Sequence, residues 1–305
     1  MKMYDIPVVA PYRLDLTVSV LRRLSTNIVD LLTPEGQYVR ALVGSPEPVI
    51  VRVIQNRQDS LSATVEGGTN NEPDVFELVR KMLGCNHDLV DFEQSAVDIP
   101  WLAALVGRMH GVKPPRYPTL WEACVNAIVF QQLSLLSATA ITRRLIVALG
   151  QSVKAEGIPV PLYVFPAKES FTHANDDLLR KTGLSASKIA TLRHVAEALT
   201  SGGIDTAKLE QCRSEDAAAV LRQIKGIGPW TAAVILLRGL GRLDVFPAND
   251  TSVASNIALV SGTAPHDSES VLATLGRQRG MLYFYLLLAR LESRNEIGRP
   301  SFERP

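Results

Sequence analysis

The residues with the clearest chemical potential lie in the run 221–233, Leu-Arg-Gln-Ile-Lys-Gly-Ile-Gly-Pro-Trp-Thr-Ala-Ala, and at Asp250, twenty residues past Trp230. The run reads as an amphipathic helix, a hairpin containing Gly226 and Gly228, and a second helix that opens at Pro229. Both glycines supply backbone that can take positive φ and come close to a ligand. Proline suits a first helical position, because its missing N–H would have no partner there. Past the turn, free N–H groups at the positive end of the second helix form an anion site that suits a phosphate diester. Asp250 ends a Pro-broken stretch where another helix begins. A carboxylate there can cap that helix or stabilise positive charge developing on a sugar.

Together the hairpin and the downstream aspartate resemble the helix-hairpin-helix plus Gly/Pro-rich loop and aspartate (HhH-GPD) superfamily of DNA glycosylases. Within it the chain is most similar to the DNA-3-methyladenine glycosylase II family. The resemblance implies a mainly α fold, with a helical glycosylase body over residues 91–305 and a small α+β domain with an antiparallel sheet over residues 1–90. It implies a base excision repair enzyme that flips an alkylated purine of the 3-methyladenine class out of double-stranded DNA and hydrolyses its N-glycosidic bond. Asp250 matches the family aspartate, which stabilises the oxocarbenium-like sugar and orients the attacking water.

Superfamily members that also cut the backbone carry a lysine two residues after the second glycine, and its amine forms a Schiff base. Here that position is Trp230, and Lys225 precedes the first glycine. A monofunctional glycosylase without a lyase step is therefore expected. Trp230 suits a cationic methylated purine on its indole face, a contact worth about 0.5–2 kcal/mol, or it packs the second hairpin helix. Val234 and Thr251 stand where the family's pocket has further aromatics, and Tyr283 and Phe284 are candidates to replace them. The segment 130–134, Phe-Gln-Gln-Leu-Ser, matches the family's Gln-Leu tip. It makes Leu133 the candidate wedge for the vacated stack and Gln132 its polar neighbour, although by composition alone Leu133 would be core. Gly226, Gly228 and Thr231 are the candidate phosphate contacts. The main-chain carbonyls of Arg222, Ile224 and Ile227 match positions that hold a monovalent cation, Na+ or K+, in the superfamily; hard cations favour such oxygens. Two other readings stay open. One is a glycosylase for oxidised or deaminated bases on the same fold. The other is a non-catalytic DNA-binding scaffold, whose mark would be loss of Asp250.

The elements that must position these residues are bounded by bulk properties. The 305 residues suit one large domain or two smaller ones, and 46% hydrophobic with 21% charged residues is ordinary for a soluble globular protein. The net charge of +1 hides an asymmetry. Residues 1–100 hold 9 Lys and Arg against 14 Asp and Glu (−5), and residues 101–305 hold 23 against 17 (+6). The later part is expected to meet the polyanion. Cys85, Cys124 and Cys212 are too few for a four-cysteine iron–sulfur cluster and show no disulfide framework. That argues against the endonuclease III and adenine-mismatch branches. His87, His110, His173, His194 and His266 lack metal-ligand spacing, so no cofactor is expected beyond the monovalent cation. Residues 1–7 lack the apolar core of a signal peptide, so none is expected, and no apolar run approaches the roughly 20 residues that span a bilayer. A monomeric intracellular protein, cytoplasmic or nuclear, with no membrane partner, is expected.

Short β-branched runs at 38–43, 49–55 and 61–65 predict paired strands, with another strand over 12–20. Val75, Leu78, Val79 and Met82 predict a helix over 74–83. From Trp101 the pattern is helical, and Ser134 is a natural N-cap for the helix after the tip. Gly157, Pro159, Pro161 and Pro166 predict a loop over 150–166. Further helices are expected near 169–181, 186–200 and 214–224, then from about 250 and over 276–293, with a loose end from 298.

Overall fold

The computed structural model describes residues 3–68, 72–248, 251–262 and 267–303. The N-terminal part runs β1 (Met3–Pro7), α1 (Leu14–Arg22), β2 (Asp30–Leu32), β3 (Tyr38–Leu42), β4 (Val49–Arg57), β5 (Ser60–Glu66) and α2 (Glu72–Met82). The strands form one antiparallel sheet in the order β1-β5-β4-β3-β2. The strands expected from β-branched runs are β3, β4 and β5, and the expected helix is α2.

The strand expected over 12–20 is instead α1. Leu14, Leu16, Val18 and Val20 mimic alternation, but Thr17, Ser19 and Arg22 are buried as well. Asp15, Ser19 and Arg22 do fall four and three residues apart on one helical face, but over so short a run the apolar alternation dominates the reading. Gln55 fixes its start: the Leu14 N–H donates to Gln55 Oε1 at 2.8 Å.

The sheet is covered on both faces, which is why its strands read as apolar runs. Val49, Val51 and Val53 pack with α1 and α2. Val39, Ala41 and Ile50 pack with Leu162 and Val164. Those last two residues belong to the stretch expected to be a loop. It contains β6 (Gln151–Val153) and β7 (Leu162–Val164), paired antiparallel. Its local composition is that of turns, but the second sheet face needs an apolar cover. The described part of the C-terminal end is likewise not loose. The Ser301 N–H donates to Leu32 O at 2.8 Å and Ser301 Oγ accepts from Leu32 N at 3.1 Å. β2 is an edge strand, and its unpaired backbone groups hold the tail.

The body begins with α3 (Val90–Val97), α4 (Pro100–Arg108), α5 (Leu120–Phe130) and α6 (Leu135–Leu149). After the β6–β7 hairpin come α7 (Lys168–His173), α8 (Asp176–Lys181), α9 (Ala186–Ser201) and α10 (Thr206–Gln211). Then follow α11 (Ser214–Arg222), α12 (Pro229–Gly239), α13 (Thr251–Ser261), α14 (Ser268–Leu275) and α15 (Met281–Glu292). The helix expected over 169–181 is two helices, because Asn175 caps α8 by accepting from Leu178 N at 2.8 Å. The last helix starts later than expected: Gly276, at φ +51°, breaks the chain after α14.

Buried arginines join the parts, Arg40 and Arg238 among them. Arg40 of β3 donates to Asp30 Oδ1 and to Glu122 Oε2 of α5, each at 2.6 Å. Burial pushes the Glu122 carboxyl upward, against the pull of the Arg40 guanidinium. Arg238 of α12 donates to Val20 O at 3.2 Å and to Leu21 O at 3.3 Å, at the C-terminal end of α1. A cation there satisfies carbonyls left open by the helix end. The second hairpin helix is thereby anchored to the N-terminal part.

Candidate nucleic-acid interface

The hairpin is built from α11, a tight turn and α12. The Ile224 N–H donates to Leu221 O at 3.2 Å and the Ile227 N–H to Ile224 O at 3.0 Å, so two turns overlap. Gly226 has φ +97°. A Cβ on it would lie 2.0 Å from Thr191 Oγ1 of α9. Thr191 has little room to move, because its hydroxyl donates to Ser187 O at 3.0 Å. Gly226 is thus required twice, by conformation and by close approach.

Gly228 differs from expectation. It is the N-cap of α12 at φ −87°, ψ −179°, extended backbone that any residue adopts. A Cβ there would meet nothing within 4 Å. What a side chain would remove is open surface beside the first turn of α12. Pro229 occupies the first helical position as expected.

The tip between α5 and α6 lies against this hairpin. Gln131 Nε2 donates to Gly226 O at 2.9 Å and to Thr231 Oγ1 at 2.8 Å. Gln132 then takes φ +56°, and Leu133 stands out with 37% exposure. Ser134 caps α6, accepting from Ser137 N at 3.2 Å, as expected. Leu136, one turn on, is 53% exposed, so the tip carries two exposed leucines. From behind, Lys188 Nζ of α9 donates to Val129 O at 2.8 Å and to Gln131 O at 2.9 Å. Burial lowers the Lys188 ammonium below its ordinary value.

Trp230 is half-buried and packs against the main helical core. Thr231 is buried, with its hydroxyl turned to Gln131. Arg222 is exposed, Ile224 half-buried and Ile227 buried. Val234 is buried, as is Phe284, whose ring lies under the Arg238 guanidinium at 5.6 Å; Phe284 is therefore core. Tyr283 is half-buried. Asp250 lies outside the described residues, as do the side chain of Thr251 and His266. Burial pushes the thiols of Cys85 and Cys124 to about 12, which leaves neither a nucleophile at neutral pH. Lys225 is exposed on the hairpin turn.

Gln131 and Lys188 were not marked as site residues by sequence reasoning. Gln131 stands next to the predicted tip, but its partners are 95 and 100 residues away. Nothing local in α9 distinguishes Lys188 from a solvated lysine.

The helical body thus carries a glycine hairpin with an exposed apolar tip held against it. Residues 125–277 match the model of the HhH-GPD superfamily of base excision DNA repair proteins. The chain belongs to this superfamily. A DNA-3-methyladenine glycosylase of Bacillus subtilis (strain 168) is 26% identical over 242 residues, covering 78% of this chain and 76% of that protein. DNA-3-methyladenine glycosylase 1 of Schizosaccharomyces pombe is 34% identical over 162 residues, covering 52% and 66%. The solved 3-methyladenine DNA-glycosylase from Archaeoglobus fulgidus shares the fold, with a TM-score of 0.78 at 24% identity over 93% of this chain and 97% of that one. Among the described residues, no helix is long and apolar enough to cross a membrane.

Proposed function

We propose that this chain is a monofunctional DNA glycosylase that removes alkylated purines from double-stranded DNA and leaves an intact abasic site. The observation that carries the reading is the Gln131 contact with Gly226 and Thr231. It holds the Leu133 tip against the hairpin, which supports a reading in which the tip separates bases and the hairpin holds a phosphate of the same nucleotide. The names of the relatives support alkylated purines as the substrate.

In this reading, the N–H groups of the hairpin and the first turn of α12 hold a phosphate near the target, independent of sequence. Leu133 fills the stack as the damaged purine turns out, and Trp230 receives the cationic base on its indole face. Asp250 stabilises the sugar as the C1′–N bond breaks and the bonding pair leaves with the base. Water then bonds to C1′, and its proton passes to the carboxylate or to solvent. A cationic base leaves as a neutral one, so no dedicated general acid is required.

The turn also suits a monovalent cation on the carbonyls of Arg222, Ile224 and Ile227. Its ligands would be neutral oxygens, and residues 222–228 contain no carboxylate to hold a divalent ion. Such a cation would offset phosphate charge. We assign the DNA chemistry to residues 91–305 and a buttressing role to residues 1–90, through Arg40 and Arg238. The protein would work as an intracellular monomer.

The deciding experiment is base release from alkylated duplex DNA, with the strand examined before and after alkali. Release with breaks only after alkali supports the reading. Breaks without alkali, or a protein–DNA adduct trapped by borohydride, would sink the assignment of a monofunctional enzyme. A second expectation concerns Gly228→Asp. Because the position is extended and open, the fold should keep its melting temperature. Affinity for DNA should fall by about tenfold through one lost phosphate contact and added repulsion. Unchanged affinity at moderate salt would count against the hairpin as the phosphate clamp.

A further inference from the structure

We propose that Gln131 and Lys188 form a strut that fixes the Leu133 tip relative to the hairpin, and that both are positioning residues for base eversion. The proposal rests on the reading of Leu133 as a wedge in a DNA glycosylase.

Three elements meet at the strut. α5 ends at Phe130, where Ile128 O and Phe130 O accept from the N–H groups of Gln131 and Leu133 in the turn, while Val129 O falls to Lys188. Lys188 takes two acceptors there, Val129 O and Gln131 O. Its charge sits at the negative end of the α5 dipole, which favours that placement. Thr191 lies three residues further along α9, so it shares a face with Lys188. Its side chain closes on Gly226 so tightly that no Cβ fits between them. One face of α9 therefore backs the tip through Lys188 and the hairpin through Thr191. The Gln131 side chain completes the triangle, bonding to Gly226 O and Thr231 Oγ1.

Eversion needs this triangle for a mechanical reason. A wedge separates stacked bases only if the force it meets is returned by a fixed grip on the backbone nearby. The tip is a short turn between two helices, with Gln132 at positive φ. Without a brace it would yield toward solvent. A stitch that served stability alone would lower the melting temperature and would not distinguish wedge insertion from DNA binding.

The test compares full-length wild type, Gln131→Ala, Lys188→Met, Lys188→Arg and Leu133→Ala on a duplex carrying a tetrahydrofuran abasic analogue. A 2-aminopurine opposite the analogue reports unstacking by its fluorescence. Gln131→Ala and Lys188→Met should bind this duplex within about threefold of wild type, yet lose most of the fluorescence rise, as Leu133→Ala does. On a paired alkylated base, their single-turnover release should fall by about tenfold, the scale of one or two lost hydrogen bonds. Lys188→Arg should restore both signals. A wild-type fluorescence rise in Gln131→Ala would overturn the proposal, and so would parallel loss of affinity and fluorescence. If Lys188→Met fails to fold, Gln131→Ala decides the question. A wild type that unstacks the reporter but releases no alkylated base would fail the substrate assignment alone, and the fluorescence arms would still test the strut.

Discussion

Asp250→Asn is expected to lower release of alkylated purines by about a thousandfold while leaving affinity for DNA unchanged or slightly raised. The amide keeps the shape of the carboxylate and removes its charge. The loss should therefore fall on the transition state, where positive charge grows on the deoxyribose, and spare ground-state binding. It should be smaller for a base that is already cationic than for a neutral one, because a good leaving group demands less from the carboxylate. The choice of asparagine also separates the two readings of this position. α13 begins at Thr251, and asparagine caps a helix as well as aspartate does. If Asp250 were only a cap, the variant would release bases at the wild-type rate. Base release measured in single turnover on methylated duplex, beside a binding isotherm, gives the answer.

Gly226→Ala should have the second-largest effect, and it should act on the fold and on DNA binding together. A non-glycine residue held at φ +97° costs roughly 1–3 kcal/mol. The added Cβ would also meet Thr191 Oγ1 at 2.0 Å, Cγ2 at 2.9 Å and Cβ at 3.0 Å, an overpacking worth roughly another 1–3 kcal/mol. The hairpin and α9 would have to separate. That movement would also displace the hairpin N–H groups that hold the phosphate in the proposed reading, so affinity for DNA should fall by at least about tenfold. Adding Thr191→Ala removes two of the three close atoms and leaves the backbone strain. The double variant should recover part of the lost melting temperature, with a coupling on the order of 1–3 kcal/mol. A single Gly226→Ala variant that melts with wild type would contradict the close approach. The contrast with Gly228 is informative, since the two glycines look alike in sequence and only one is demanded by the fold.

Much of the architecture was legible because its causes are local. β3, β4 and β5 follow from β-branched runs between turn residues, and α2 from the spacing of Val75, Val79 and Met82. Ser134 announces α6 through a cap that acts within three residues. β1 was missed because its pairing with β5 spans about sixty residues, and β2 because three residues carry too little pattern. α1 read as a strand because Leu14, Leu16, Val18 and Val20 alternate with polar residues, which masks the helical spacing of Asp15, Ser19 and Arg22. The β6–β7 hairpin was hidden by its prolines and glycines, and its existence follows from an apolar sheet face elsewhere that had to be covered.

The sequence by itself determined the hairpin, its opening proline and the absence of a lysine at position 230, while the wedge role of Leu133 came from the family resemblance and its exposure only from the structure. These hairpin features depend on residue types a few positions apart, where backbone preference and capping decide the outcome. The sequence also placed the chain in its superfamily, which the match over residues 125–277 shows. Only the tertiary structure decided that Gly226 is locked against Thr191 while Gly228 is open. Only it joined Gln131 to Thr231 and Lys188 to the end of α5. These contacts span from 35 to 100 residues of chain. Their geometry is set by the packing of α5, α9 and α12 around a shared core, and no local preference along the chain encodes it.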